Sequence, residues 1–319
     1  MDKPTSAIPA SAQVEKNDRL QRFRRLNLFL PKVVPYGFGV AILSRATRNP
    51  LVQSLLGVHW QRLRTFLEEN HLPFDARQVR ASCLTTNWLT IWRLSALSRC
   101  SDQVFGRWVS VQGYDAFRQL REQGRPVILC NSHYGAGKMI LMTLLRFGHN
   151  IHSLDRFDLF SFFDIRTKGK LISINLGDRQ SNFMLKQVFR ARKVLQEGEI
   201  LHIAGDGTRG LSGRAIPFFR RQRQFPASVA ELALATNAAV VPIFGVLEVD
   251  GRVRIELLPP LEMPDAQLPH DERVMHIIEQ YGRLMQDYWR ASPGSIWKSE
   301  LKIYTELPIP ENSGEIRKV

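Results

Sequence analysis

Short apolar runs alternate with amphipathic segments of helical length over most of the chain after Trp108. The apolar runs are RPVILCNSH, HNIHSLDR, KLISINLG, EILHIAGDG and AAVVPIFGVLEV. Segments between them, such as NFMLKQVFRARKVLQEG, carry apolar residues at three- and four-residue spacing, which predicts helices. Strands that alternate with helices favour a parallel sheet covered on both faces. The predicted fold class is α/β, with a mixed, mostly parallel sheet flanked by helices.

The last apolar run is followed by a second one, RVRIELLPPL, after Asp250–Gly251. An Asp-Gly pair between two apolar runs is typical of a hairpin turn. The sequence therefore predicts that this hairpin adds an antiparallel edge to the sheet.

Four segments are predicted along the 319 residues. Residues 1–18 form a flexible N-terminus, 19–106 a basic, helical, membrane-facing extension, 107–304 the α/β domain, and 305–319 a flexible tail. The start lacks the apolar core of a signal peptide, and no apolar run is long enough to span a bilayer. The stretch RLQRFRRLNLFLPK suits either a helix on an anionic membrane or a helix packed on its own domain.

The net charge of +14 favours an anionic partner, which could be nucleic acid, an acidic protein or an anionic membrane. The basic loop FFRRQRQF is predicted to face anionic headgroups or an acidic carrier protein, or else to be a solvated hairpin. Nucleic acid is the less favoured partner, because the basic residues form no recognised nucleic-acid motif. The three cysteines lie far apart without a CxxC pair, which argues against a disulfide framework or a zinc site.

Three predicted strands end in polar, glycine-flanked sequences: NSHYGAGK with His133, HSLDRF with Arg156, and AGDGTRG with Asp206. Ligand sites of open α/β sheets lie at the carboxyl ends of strands. A lone histidine after a strand is more often structural, so the order of all three blocks carries the interpretation.

These blocks resemble the glycerolipid and lysophospholipid acyltransferases. That superfamily carries a His-x4-Asp/Glu motif, then an arginine-containing block, a PEGTR block and a VVP or IVP strand. The chain has His133, Arg156, GDGTRG at Gly205–Gly210, and VVPIF at Val240–Phe244.

The C-terminal half is still more similar to the bacterial lipid A late acyltransferases. GRAIPFF resembles their FVPFF segment, FPASVAELALATNAAVVP resembles the stretch that ends in VVP, and ASPGSIWKS resembles their HPEQWLW run. The resemblance covers about residues 107–298.

The resemblance implies acyl transfer from acyl carrier protein or acyl-coenzyme A to a hydroxyl or amine of a lipid or saccharolipid. His133 would act as the general base on the acceptor, with an acid orienting its ring. No metal or bound cofactor is implied, since the acyl donor is a cosubstrate. The expected location is the cytoplasmic face of the inner membrane, as a peripheral protein.

The chain departs from the family at Lys138, which stands where the motif has its acid. An ammonium has no acceptor for the ring N–H and would disfavour the imidazolium, so these two residues cannot form the usual dyad. Three explanations remain open. Another carboxylate serves, which would be Asp155, Asp158 or Asp206. Alternatively the acceptor needs less help, for example because it is an amine or a phosphate-bearing substrate that Lys138 anchors. In the third explanation catalysis is lost.

The resemblance also suggests substrate-binding residues. Asp206 stands at the position of the acid in the PEGTR block, and Arg156 and Arg209 could each pair with a phosphate. The predicted catalytic residues are His133 and Asp206, and the predicted substrate-binding residues are Lys138, Arg156, Gly207, Thr208 and Arg209. The alternative is a catalytically degenerate relative that binds lipid, acyl carrier protein or a partner enzyme.

Overall fold

The computed structural model of the protein describes residues 34–155, 166–175, 181–207, 213–248 and 250–307. The predicted flexible N-terminus and the RLQRFRRLNLFLPK segment lie outside these residues, as do Asp158, Arg156, Thr208 and Arg209.

The described strands form one large sheet and one hairpin. The sheet has seven strands in the order β1-β9-β8-β2-β5-β3-β4. Every neighbouring pair is parallel except β8 and β9, which confirms the predicted mixed, mostly parallel sheet. The strands are β1 (Val109–Gln112), β2 (Val127–Asn131), β3 (Ile151–Asp155), β4 (Leu171–Asn175), β5 (Ile200–Ala204), β6 (Gly213–Phe218), β7 (Arg221–Pro226), β8 (Ala239–Leu247) and β9 (Val253–Leu257).

Helices precede the sheet in the chain and connect its strands. The N-terminal ones are α1 (Tyr36–Ala46), α2 (Pro50–Gln53), α3 (Val58–Glu69), α4 (Ala76–Ser98) and α5 (Asp102–Trp108). The others are α6 (Tyr114–Glu122), α7 (Gly137–Arg146), α8 (Ser181–Gln196), α9 (Ser228–Thr236), α10 (His270–Ala291) and α11 (Lys298–Glu306). Among these described helices, none combines the length and apolarity needed to cross a membrane.

The sheet separates two hydrophobic cores, and β2 contributes to both. Ile128 and Cys130 belong to the core shared with α3, α8, α9, α10 and α11, whereas Val127 and Leu129 belong to the core shared with α6 and α7. This alternation follows from the two-residue period of a strand, which sends successive side chains to opposite faces. A strand buried on both faces is expected at the centre of a parallel sheet, where its carboxyl end can carry a site.

The hairpin of β8 and β9 is antiparallel as predicted, but it is not the edge of the sheet. β1 pairs in parallel with β9 and occupies the edge. β1 has only four residues, VSVQ, so its alternation is too short to predict a strand. The helix α11 was also missed, and it runs to Glu306, two residues into the segment predicted as a tail.

The prediction that FFRRQRQF is a loop facing headgroups is wrong for two of its three arginines. This stretch forms most of the antiparallel hairpin β6–β7. Arg221 and Arg223 are two residues apart on β7, and both side chains point inward. Arg221 pairs there with Glu69, and Arg223 pairs with Glu300. Two-residue alternation puts both guanidinium groups on the same, buried side of the hairpin.

Candidate active site

His133 follows the carboxyl end of β2 in a turn that the protein holds from two sides. Gly135 adopts a φ of +50°, and a Cβ at this position would lie 2.1 Å from the carbonyl oxygen of Gly245 on β8. Only glycine fits such a conformation and such a close approach. The Gly135 N–H donates to the Ser295 carbonyl at 2.8 Å, and Trp297 Nε1 donates to the Gly135 carbonyl at 3.0 Å. These contacts fix the turn between β2 and α7, in which His133 lies.

Asp206 follows the carboxyl end of β5, the strand next to β2, and points at His133. Its Oδ1 lies 2.7 Å from His133 Nδ1, and its Oδ2 accepts from the His133 backbone N–H at 2.6 Å. Gly205 makes this approach possible, since a Cβ there would lie 2.3 Å from Cys130 Sγ. The Asp206 side chain is fully buried, whereas that of His133 is 37% exposed.

The pairing assigns roles to the two ring nitrogens of His133. A carboxylate can only accept, so the Nδ1 atom carries the proton that Asp206 binds. The Nε2 atom is then the nitrogen that can accept a proton from a substrate. The site thus brings together the two residues that the sequence predicted as catalytic.

A second carboxylate, Glu300, joins this pair from α11 and was missed in the sequence. Its Oε1 lies 3.9 Å from His133 Nδ1, and its Oε2 is hydrogen-bonded to Arg223. Arg223 also donates to the backbone carbonyl of Asp206 at 3.0 Å. Glu300 was missed because its segment has no strand followed by a polar turn. Its partner Arg223 was interpreted as a surface cation.

The two buried carboxyl groups have opposite pKa shifts. Burial opposes ionisation of Asp206, but the charges of His133 and Arg223 and the bonds from His133 outweigh it, so its pKa is lowered. Burial, followed by the charge of Asp206, raises the pKa of Glu300 to about 7, although Arg223 and His133 act to lower it. Asp206 is therefore the ionised acid of the pair, and Glu300 is the one that titrates near neutral pH.

Lys138 lies on the first turn of α7, and its Nζ is 5.2 Å from the centroid of the Trp297 ring. The His133 ring contacts the same indole edge to face, with 5.2 Å between the ring centroids. Trp297 thus contacts both residues and holds the ammonium near the site.

The remaining predicted site residues are placed only in part. Gly207 follows Asp206 and is half-buried. Asp155 is the last residue of β3, which lies beyond β5 as seen from β2. Arg156, Thr208, Arg209 and Asp158 lie outside the described residues, so their predicted roles stay predictions.

Cys130 does not have the character of a nucleophile. Cys130 lies on β2 and its thiol is buried. Burial, together with the charge of Asp206, raises the pKa of the thiol far above the ordinary value. Thiolates are the reactive form, so this environment suits packing and not covalent catalysis.

Within the described residues, one group of side chains has the spacing of metal ligands. Its donor atoms, from His133, Asp206 and Glu300, lie within 4.8 Å of one another. Arg223 already supplies a cation to Glu300, and both Asp206 oxygens accept hydrogen bonds from His133. These contacts satisfy the donor set within the protein, so its chemistry fits proton transfer better than metal binding.

Two cavities among the described residues, of about 690 and 670 Å³, are not lined by His133. Arg48 and Glu248 line both of them, between α1 and the end of β8. The geometry of the His133 pair, and not cavity size, therefore identifies the candidate site.

A mostly parallel sheet with a histidine–carboxylate pair at neighbouring strand ends has the groups that proton-assisted group transfer needs. Comparison with protein families identifies the class more closely. The family described as "Bacterial lipid A biosynthesis acyltransferase" matches residues 76–282, well over half of the chain. The chain belongs to this family, and it is an acyltransferase enzyme of the lipid A type. A search of curated proteins finds none that matches the chain.

Proposed function

We propose that the protein transfers a fatty acyl chain from a thioester donor to a hydroxyl or amine of a lipid or saccharolipid acceptor, with His133 as general base. The observation that carries the proposal is the bond between His133 Nδ1 and Asp206 Oδ1, at 2.7 Å. It supports a ring whose Nε2 removes the acceptor proton while Asp206 stabilises the imidazolium. The acceptor oxygen or nitrogen then attacks the thioester carbon, and the thiol leaves with the proton from His133.

Asp206 takes the role that the family's motif gives to the residue at the Lys138 position. This choice corresponds to the first of the three explanations for the altered motif. Supporting it, Asp206 is fully buried, ionised and bonded to His133 Nδ1, whereas the Lys138 ammonium packs on the Trp297 ring. A ring without a carboxylate beside it would have favoured the degenerate alternative.

Lys138 is proposed to bind an anionic group of the acceptor. An ammonium on the first turn of α7 adds to the positive end of the helix, and together they favour a phosphate near His133. A phosphorylated saccharolipid would suit this charge. Arg156 and Arg209 are proposed for the same task on the strength of the family resemblance alone.

The donor is proposed to be acyl carrier protein in preference to acyl-coenzyme A. The feature that favours it is the outer face of α8, which exposes Leu185 and Phe189 at 49% and 66%. Basic residues surround this pair and α8 contains no acid; they are Lys186, Arg190, Arg192 and Lys193. An acidic protein fits such a surface by charge and by apolar contact.

The position of α8 agrees with that choice. The helix follows the carboxyl end of β4, which is parallel to β2 and β5. Its first turn therefore lies on the side of the sheet where the strands end and where His133 and Asp206 follow β2 and β5. Leu185 is the fifth and Phe189 the ninth of its 16 residues. A carrier docked there could present its thioester to the site.

Membrane contact at the inner leaflet is proposed for the N-terminal helices. Large apolar side chains are exposed on three consecutive helices: Phe38 and Ile42 on α1, Leu51 on α2 and Val58 on α3. Arg45 and Arg48, both exposed, accompany them. Apolar side chains with neighbouring cations are the composition of an interfacial surface on anionic lipid.

The test of the proposal is thiol release from acyl-carrier protein and acyl-coenzyme A, with a lipid A precursor as acceptor. We expect acceptor-dependent release with the wild type and none with His133→Ala. Equal release by both would contradict His133 as the base. Stoichiometric binding of the acceptor without release by either, under conditions in which a family enzyme is active, would support the degenerate alternative.

A further inference from the structure

A second buried carboxylate faces the same ring nitrogen as Asp206. Glu300 is only 3% exposed, and its Oε1 lies 3.9 Å from His133 Nδ1. Its other oxygen is held by Arg223, whose second contact is the Asp206 backbone carbonyl. The four side chains therefore form one connected cluster, drawn from β2, β5, β7 and α11.

The charges of the cluster favour a positive histidine. With His133 neutral and both carboxylates ionised, Asp206 and Glu300 contribute two negative charges and Arg223 contributes one positive charge. Proton transfer to His133 brings the sum to zero. In a buried setting of low polarity, such neutralisation stabilises the imidazolium more strongly than it would in water.

We propose that Glu300 is a positioning residue which, in its ionised form, stabilises the charge that develops on His133 during acyl transfer. This inference rests on the proposed function. Glu300 does not touch the substrate in this proposal, because it acts through the ring and through Arg223. Asp206 sets the tautomer, and Glu300 adds the second negative charge.

The groups that face Glu300 come from each element around it. They are His133 after β2, Asp206 after β5 and Arg223 on β7. The neighbouring helix α3 brings His59 near Lys298 of the same helix as Glu300. Burial and the charge of Asp206 raise the pKa of Glu300, and Arg223 and His133 lower it.

The sign of the pH effect follows from the pKa of about 7. As the pH falls well below 7, Glu300 becomes protonated and neutral, and its contribution to the stabilisation of His133 is lost. As the pH rises well above 7, Glu300 becomes ionised and its contribution approaches its full value. Removal of the charge should therefore matter little in acid and matter most in base.

The experiment measures kcat for thiol release by the wild type and by Glu300→Gln from about pH 5.5 to about pH 8.5. We expect the ratio of wild-type to variant kcat to rise from near one to about tenfold, the effect of one pKa unit on the imidazolium. The KM values should change little. A ratio that is the same at every pH would overturn the proposal, since a merely structural role has no reason to follow this titration.

A matched control is present on the same strand. Arg221 pairs with Glu69 two residues from the Arg223–Glu300 pair, and Glu69 is not among the groups that shift the pKa of Asp206 or of Glu300. Glu69→Gln should lose the ion pair with a ratio that stays flat with pH. A ratio that rises with pH in this control as well would also overturn the proposal.

Two further comparisons keep the result interpretable. If Glu300→Gln does not fold, Glu300→Asp is the substitute, since it retains the charge but moves it back by one methylene. The ratio of wild-type to Glu300→Asp kcat should stay near one or rise slightly with pH. A ratio that is well above one and the same at every pH would overturn the proposal. If His133→Ala is as active as the wild type, the proposed function itself fails. If His133→Ala is inactive and the Glu300 ratios are flat, only the role of Glu300 fails.

Discussion

Asp206 holds His133 through two hydrogen bonds, one to the ring Nδ1 at 2.7 Å and one to the backbone N–H at 2.6 Å. The carboxylate thus fixes the position of the backbone, the rotation of the ring and the tautomer at once. A bond to the ring alone would leave the turn after β2 free to move relative to β5.

The first prediction concerns this pair. Asp206→Asn keeps the shape and can still accept from the backbone N–H, but its amide can present N–H to Nδ1 and favour the wrong tautomer. We expect kcat to fall by about 10³-fold, and that of His133→Ala by at least as much. Asp250→Asn, at a half-exposed aspartate of the β8–β9 turn, is the control and should stay within about twofold of the wild type. Near-normal turnover by Asp206→Asn would contradict the assignment.

The second prediction addresses Lys138. Lys138→Met removes the ammonium and keeps the length of the side chain. We expect KM for a phosphorylated acceptor to rise about tenfold with kcat nearly unchanged, because a charged hydrogen bond is lost in binding. Lys170→Met, at an exposed lysine before β4, should change neither value.

Lys138→Glu separates the explanations for the altered motif. Asp206 already occupies the Nδ1 side of His133, so a new acid at position 138 should give no gain in kcat and should weaken acceptor binding further. A rise in kcat above the wild type would mean that the lysine suppresses catalysis and that the natural protein is kept for binding.

The third prediction tests the donor surface on α8. Lys186→Glu with Arg190→Glu reverses two charges beside Leu185 and Phe189. We expect KM for acyl-carrier protein to rise at least tenfold while KM for acyl-coenzyme A changes little, since only the protein donor covers the helix. Arg118→Glu on α6 changes a comparably exposed arginine on the opposite face of the sheet and serves as control. An equal effect on both donors would contradict carrier docking at α8.

The fourth prediction concerns the exposed apolar side chains of the N-terminal helices. Phe38→Ser with Leu51→Ser should reduce co-sedimentation with vesicles that contain anionic lipid by several-fold, because each change removes apolar surface from the interface. Phe147→Ser, at a phenylalanine that is 43% exposed after α7, should leave binding unchanged. Unaltered binding by the double variant would place the membrane contact elsewhere in the chain.

The sequence predicted what depends on long, regular patterns. Continuous apolar runs located β2, β5 and β8, and the blocks after them placed His133 and Asp206 at the carboxyl ends of two of these strands. Tertiary contacts decided the rest. Nothing in IWKSELKIY signals that Glu300 is buried beside His133, because a glutamate in a short amphipathic stretch is usually solvated.

The basic hairpin also shows that composition does not predict which charged residues are buried. Arg223 lies in a run of cations that composition assigns to the surface, and only its position on β7 turns it toward Glu300. Likewise the sequence identified Lys138 as a departure from the motif but could not choose among Asp155, Asp158 and Asp206, because that choice depends on which strand lies beside β2.

The fifth prediction uses His202, a buried histidine on β5 whose Nδ1 lies 3.0 Å from the Ser153 hydroxyl. Burial and then the charge of His133 lower its pKa to about 4. The ordinary pKa of the unfolded chain is about 6.5. Between these values the unfolded state binds a proton that the folded state does not. Above pH 6.5 the titration of His202 therefore costs the folded state nothing. As the pH falls from 6.5 toward 4, it lowers the free energy of unfolding by at most about 3 kcal/mol.

His202→Asn retains a polar group for Ser153 and removes this titration. We expect the free energy of unfolding, measured by urea denaturation, to depend less on pH between about 6.5 and 4 than in the wild type. His270→Asn, at an exposed histidine that contacts Glu231, is the control and should leave the pH dependence nearly unchanged. A His202→Asn curve parallel to that of the wild type would mean that His202 binds its proton in the folded protein as readily as in the unfolded chain.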